Sequence, residues 1–302
     1  MKRIIMMRSP KAYLPQIDAS IRYFNNKGLG FKLVDSDEAD VFIPTEWDAI
    51  WSFPGIIYKN KSIPQIHEYA SLSTGIFPDM KNRIKRSINT KPALRIFLNE
   101  FVQKGMNFSD GIVSLQRDMG VDDLFFRYQD TVKSYDCVYV GAITKSRGIN
   151  RLLQHFKKQK EKRSLLMIGA VQDDLFLEFK DVSNITFTGS IPYEDVPKYA
   201  SQAVYGINYM PNKYPYNLQT STKLLEYLAM NLKIISTDYL WVQHFKKKHG
   251  LSFITVNEAL DNLDRQLDKS EPQPLNEKLI HSLNWTNVIK EAGIEEQLSK
   301  LL

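Results

Sequence analysis

Two hydrophobic periods alternate along this chain, and their order predicts its architecture. Short apolar runs at 3–7, 41–43, 63–66 and 111–114 read as buried strands. Between them, Ile17, Ile21 and Phe24 fall on one face of a helix over 16–26. Leu94, Phe97, Leu98, Phe101 and Val102 do the same over 92–105. A fresh pattern starts near Tyr135. Strands are expected at 137–140, 165–168, 185–187, 205–208, 233–236 and 253–255. Helices are expected through Leu152, Leu153 and Phe156 and over 224–228. Residues 268–273 read as a polar loop, and a last helix starts near Trp285. Strands in alternation with helices imply parallel sheets covered on both faces. We read an α/β chain of two Rossmann-like, doubly wound domains, 1–132 and 133–283, and a C-terminal helix, 284–302.

Composition narrows this picture. The chain has 302 residues, enough for two cores, and 43% hydrophobic against 25% charged residues, the balance of a folded protein. No apolar run approaches the roughly 18–20 residues of a membrane span. The run 4–7 is too short for a secretory leader and reads better as a buried strand. Cys137 is the only cysteine, so no internal disulfide forms and a reducing, cytoplasmic setting is expected. The five histidines lack metalloprotease pairing. The net charge of +6 fits an anionic ligand or an anionic membrane surface. No nucleic-acid-binding motif is present. Neither a Gly-x-Gly-x-x-Gly nor a Gly-Lys-Ser/Thr loop occurs, which argues against dehydrogenases and P-loop enzymes.

In open α/β sheets the ligand lies outside the carboxyl ends of the strands. Four such ends carry polar chemistry here. One is Gly141 to Gly148, with Lys145 and Arg147 just before a helix, where backbone N–H groups favour phosphate. The others are Gly169-Ala170, then Thr188-Gly189-Ser190 leading to Tyr193, and the loop 210–222. The last feeds a helix that Ser221 or Thr222 can cap. Lys223 stands in its first turn, where the helix dipole disfavours a cation unless an anion is bound. Glu226 follows one turn later on the same side and suits a ribose diol. The plainer alternatives are a surface Lys223–Glu226 ion pair, solvated charges at Lys145 and Arg147, and glycines that only turn the chain.

The run Ser221-Thr222-Lys223-Leu224-Leu225-Glu226-Tyr227, through Lys233-Ile234-Ile235-Ser236, resembles the donor-binding helix and next strand of GT-B glycosyltransferases, especially family 4 (group 1). Tyr139-Val140-Gly141 through Gly148, the segment 184–192 and Asn284-Trp285 are similar to further elements of that family, in the same order. The resemblance implies two domains with a cleft between them. It implies transfer of a hexose from a nucleoside diphosphate sugar to a glycan or lipid-linked acceptor, in bacterial surface polysaccharide synthesis such as lipopolysaccharide or capsule. Glu226 would bind the donor ribose. Lys223 and Arg147 would bind the diphosphate, with Gly141, Lys145, Gly189, Tyr193, Ser221 and Thr222 around them. No cofactor or metal is expected. His67 would face the reacting sugar, and Glu68 would serve as base in an inverting reaction. The basic residues Lys81, Arg83, Lys85, Arg86, Lys91 and Arg95 imply peripheral contact with an anionic membrane, unless they are simply a solvated face. Two departures stand out. Leu218 replaces a common family glutamate eight positions before Glu226, and Ser9-Pro10-Lys11 stands where a glycine pair is usual. An epimerase acting on nucleotide sugars, or a non-catalytic binding subunit, are the alternatives.

Overall fold

The four central strands of the first unit are buried on both faces. In β1 (Arg3–Arg8), Ile4 and Met6 join one core, and Ile5 and Met7 join another. The structure, a computed structural model, describes residues 2–8, 14–35, 46–53, 62–159, 162–268 and 276–302. The chain divides into two compact units, Met1–Gly120 with Asn284–Leu302, and Val121–Leu283.

In the first unit β1 is followed by α1 (Pro15–Asn25), β2 (Gly30–Asp35), β3 (Ala49–Ser52), β4 (Gln65–Tyr69), α2 (Pro78–Ile88), β5 (Leu94–Phe97), α3 (Glu100–Met106) and β6 (Ser114–Gln116). The strands form one parallel sheet, ordered β2-β1-β3-β4-β5-β6. Ile4, Met6, Trp51, Ile66 and Ile96 pack with Ile17 and Phe24 of α1.

In the second unit β7 (Tyr135–Val140), α4 (Ile149–Lys158), β8 (Leu165–Ile168), α5 (Asp173–Phe179), β9 (Ile185–Gly189), α6 (Val196–Ala200) and β10 (Ala203–Asn208) alternate. Then come α7 (Thr222–Ala229), β11 (Lys233–Thr237), α8 (Leu240–His249), β12 (Ile254–Val256), α9 (Leu263–Asp268) and α10 (Glu277–Ser282). The parallel sheet runs β12-β11-β10-β7-β8-β9. That is the dinucleotide-fold order, and its strand sequence reverses between β7 and β10. The last helices, α11 (Trp285–Glu291) and α12 (Ile294–Leu301), group with the first unit, where Trp285, Ile289, Ile294 and Leu298 enter its core.

Several expectations shift. Residues 92–105 are not one helix but β5 and α3. All four residues of β5 are buried, and Asn99 caps α3 by accepting from Val102 N–H at 3.0 Å. A strand buried on both faces loses its alternation and then mimics helical spacing. The strand expected at 63–66 is β4, which begins at Gln65 and runs on to Tyr69, so His67 and Glu68 lie within it rather than after it. The division falls after Gly120 rather than at 132. Val121 N–H donates to Leu283 and Phe125 packs on Tyr193, so this stretch belongs to the second unit. The strand expected at 41–43, the segment Ser9 to Lys11 and most of the polar loop 268–273 lie outside the described residues.

Candidate functional site

The carboxyl ends of β7 and β10 flank the point where strand order reverses, and α7 starts in the loop that leaves β10. Helix α7 lies close against the sheet because β10 carries Gly206. A Cβ there would come within 2.4 Å of the Tyr227 ring. Tyr227 in turn accepts a hydrogen bond from Val140 N–H at 2.9 Å, tying the helix to the end of β7. The loops after β7 and β8 touch as well. Gly169 has φ +138°, and a Cβ on it would lie 2.2 Å from Gly141 O, so only glycine fits.

Ser221 is the cap of α7. Its Oγ accepts from Leu224 N–H at 3.4 Å and donates to Asn208 Oδ1 at 2.8 Å. Asn208 Nδ2 then donates to Ser236 Oγ at 2.9 Å and Tyr239 Oη at 3.1 Å. This buried network joins β10, β11 and the start of α7, and sequence reading missed it. The signal was there: Asn208 is a lone amide closing the run Tyr205-Gly206-Ile207 at a strand end. Thr222 is the first residue of the helix and is partly exposed.

Lys223 is 9% exposed. Its Nζ lies 4.9 Å from the Tyr139 ring centroid and 3.7 Å from where a Gly141 Cβ would be. Glu226 Oε1 accepts from Tyr193 Oη at 2.9 Å, and Tyr193 packs on Phe125. Burial pushes the Glu226 carboxyl up to about 7, against the opposing pull of Tyr193 and Lys223. Lys223 and Glu226 make no ion pair with each other, so the surface-pair alternative is not what the helix shows. A buried ammonium beside a glycine turn and a carboxylate one helical turn away are both placed to meet a ligand.

The other second-unit candidates are less engaged. Lys145 pairs with Asp174 at 2.7 Å, both about half exposed, and that carboxylate raises its pKa. Arg147 is exposed in the same short turn, Lys145–Arg147. Gly189 ends β9 with φ +70°.

In the first unit His67 and Glu68 are both buried, on opposite faces of β4. Glu68 Oε1 is ion-paired with Arg117, and its Oε2 accepts from Trp51 Nε1 at 2.9 Å. Arg117 is itself fully buried, with its guanidinium 5.3 Å from the Trp285 ring. Both carboxylate oxygens are engaged and the residue is 1% exposed, which sets it away from an acceptor hydroxyl. His67 Nε2 lies 3.2 Å from Gln65 Oε1, an oxygen that also accepts from Thr90 Oγ1 at 2.6 Å. Nε2 therefore carries the proton, and Nδ1 is left buried with a free lone pair. Burial, with Arg95 nearby, lowers the His67 pKa to about 4, so the ring is neutral near pH 7. Arg95 does not belong to the surface basic run. It is 2% exposed, chelates Asp110 through two 2.6 Å hydrogen bonds and stacks on Phe108.

Among the described residues no group of three or more His, Cys, Asp or Glu side chains converges to hold a metal ion. Asp35-Ser36-Asp37 is an Asp-x-Asp sequence at the end of β2. Asp35 pairs with Arg8 at 3.0 Å, and Asp37 lies outside the described residues. No helix of the described residues is long and apolar enough to cross a membrane.

Residues 134–264 match the family model of Glycosyl transferases group 1. No curated protein matches the sequence. Among solved structures, sucrose-phosphate synthase from Thermosynechococcus elongatus is similar over 99% of this chain and 100% of its own, at TM-score 0.76 and 14% identity. Alr3699/HepE of Anabaena, solved in complex with UDP, covers 100% of both chains at TM-score 0.71 and 11% identity. A lipopolysaccharide outer core galactosyltransferase, WaaB, also covers 100% of both, at TM-score 0.62 and 13% identity. The architecture is that of GT-B glycosyltransferases, and the second unit carries the group 1 match.

Proposed function

We propose that the chain transfers a hexose from a nucleoside diphosphate sugar to a hydroxyl of a glycan or lipid-linked acceptor, in bacterial surface polysaccharide synthesis. One observation carries the donor half. At the reversal point of the second sheet, buried Lys223 opens α7 beside Gly141, and Glu226 stands one turn on with a carboxyl that burial holds near neutrality. Lys223 and the N–H groups of that helix start take the diphosphate. Glu226 accepts from the ribose hydroxyls.

In the reaction the bond from the anomeric carbon to the diphosphate breaks, the acceptor oxygen bonds to that carbon, and its proton passes to a base. Charge builds on the leaving diphosphate, so Lys223 and the helix start supply the main stabilisation, with Arg147 as a further cation. This assignment gives the role of a metal to side chains. Of the first-unit candidates we retain His67, whose Nδ1 keeps a lone pair, and set aside Glu68, which Arg117 and Trp51 occupy.

The test is a screen of UDP- and GDP-sugars by calorimetry, followed by release of nucleoside diphosphate with and without lipid-linked and oligosaccharide acceptors. Acceptor-dependent release that Glu226→Ala abolishes supports the reading. If no nucleoside diphosphate binds, it fails. Isomerised donor without any acceptor identifies an epimerase, and binding without turnover identifies a binding subunit.

A further inference from the structure

Helix α2 is inside out. Phe77, Met80, Ile84 and Ile88 recur at spacings of three and four, so they form one stripe along the helix. In a water-exposed helix that stripe faces the core. Here it faces outward: Phe77 is 69% exposed, Met80 54%, Ile84 47% and Ile88 51%, and the neighbouring Ile76 is 76% exposed. The inward face is polar. Asn82 is buried and accepts from Ser73 N–H at 2.9 Å, and Arg86 donates to the carbonyls of Met106 at 3.2 Å and Asn107 at 2.8 Å. The helix is thus fastened to the unit by hydrogen bonds while its apolar side chains are presented to the outside.

The surroundings are cationic. Exposed Lys81 and Arg83 flank the stripe, Lys85 and Arg86 lie behind them, Lys91 follows, and Asp79 is the acidic residue of the helix. Beside the stripe is a cavity of about 450 Å³ lined by Ser71, Ser73, Thr74, Lys81 and Lys85, with Leu72 and Ile84 at its apolar edge. Ser73 is buried, and its Oγ has no hydrogen-bond partner. Two ammonium groups and a set of hydroxyls make a site for a phosphate group. A phosphate next to an apolar ridge is the chemistry of a phospholipid at the membrane interface.

We propose that α2 docks the protein on an anionic phospholipid bilayer. The Ile76–Phe77–Met80–Ile84–Ile88 ridge enters the headgroup boundary, and the Lys81–Lys85–Ser73 cavity takes a lipid phosphate. The proposal builds on the acceptor side of the function above and narrows the expected basic run to α2 without Arg95. A second copy of the chain is the poorer occupant: a twofold contact would set this cationic patch against itself. An amphipathic helix with a cationic border is drawn to anionic lipid by both terms at once.

The experiment is sedimentation of the full chain with vesicles of phosphatidylglycerol and phosphatidylcholine, and with phosphatidylcholine alone, across a salt series and without nucleotide. Circular dichroism and titration with UDP and GDP are run on every variant. The native chain is expected on the anionic vesicles, and much less on the neutral ones. Met80→Ser/Ile84→Ser/Ile88→Ser should lower the partition coefficient by roughly tenfold or more. Lys81→Ala/Lys85→Ala should lower it and flatten its salt dependence. Because these residues are exposed or line an open cavity, both variants should keep native spectra and nucleoside diphosphate binding. No partition of the native chain, or equal partition of the triple variant, overturns the proposal. So does native self-association that the triple variant abolishes. Partition without binding of any nucleoside diphosphate leaves the membrane proposal standing and the glycosyl-transfer reading failed; nucleoside diphosphate binding without partition does the reverse.

Discussion

Replacing Glu226 by glutamine should stabilise the empty protein and weaken its hold on the nucleotide. Burial raises this carboxyl from 4.5 to about 7. For an acid whose folded pKa is raised, the folded state holds its proton more tightly than the unfolded state does. Its charge therefore costs nothing well below pH 4.5, costs more as pH rises, and reaches its full cost above about 7. At about 1.4 kcal/mol per pH unit the shift amounts to roughly 3 kcal/mol, and partial solvation reduces that to roughly 1–3. Glutamine never carries the charge. At pH 8 the Glu226→Gln protein should melt a few degrees higher, at roughly 2–4 °C per kcal/mol, and the gap should close as pH falls towards 4.5. The same change removes the charged acceptor for the ribose hydroxyls. A hydrogen bond to a charged group is worth about 1.5–3 kcal/mol, so affinity for the nucleoside diphosphate should fall roughly 10- to 150-fold. Native affinity should also tighten as pH rises through about 7, and the variant should lack that component. Differential scanning calorimetry and titration calorimetry at pH 5 and pH 8 measure all three. A variant that melts lower at pH 8, or binds the nucleoside diphosphate as the native chain does, refutes the role given to Glu226.

Three further substitutions probe other parts of the account. Lys223→Ala should weaken the nucleoside diphosphate at least roughly tenfold while leaving the matching nucleoside nearly unchanged, because the lysine is assigned to the diphosphate alone; competition titration separates the two. Arg117→Met leaves the Glu68 carboxylate buried without its cation and should cost about 3–5 kcal/mol in urea unfolding, whereas Arg117→Met with Glu68→Leu should recover much of that loss. His67 is held neutral with its pKa near 4, so the native chain loses stability as pH falls from about 6.5 towards 4; His67→Gln should flatten that limb of the acid-unfolding curve.

The sequence was most legible where one physical demand acts on one residue type. Strands β7, β8, β10 and β11 were readable because short apolar runs end at Gly141, Gly169, Asn208 and Thr237. Lys223 stands out in the sequence because a lysine in the first turn of a helix runs against the dipole, and the structure finds it buried there. What escaped was pairing at long range. Glu68 looked like a base because Arg117, 49 positions away, cannot be matched to it from spacing alone. Arg95 looked like a surface cation because Asp110 and Phe108 sit on the next loop. β5 reads as helix because a strand buried on both faces leaves no period-two signature. The α2 stripe was visible as pattern, but only burial tells which way it points.

The most direct test of the central claim is hydrogen exchange on the intact chain with and without the nucleoside diphosphate, UDP or GDP, that binds it in the calorimetric screen. The proposed donor site predicts slowed exchange in the backbone of 141–148, 169–172, 189–193 and 221–227, with the Glu226→Gln chain showing much less slowing at the same nucleotide concentration. Protection confined to other segments, or none when that nucleotide is saturating, would contradict it.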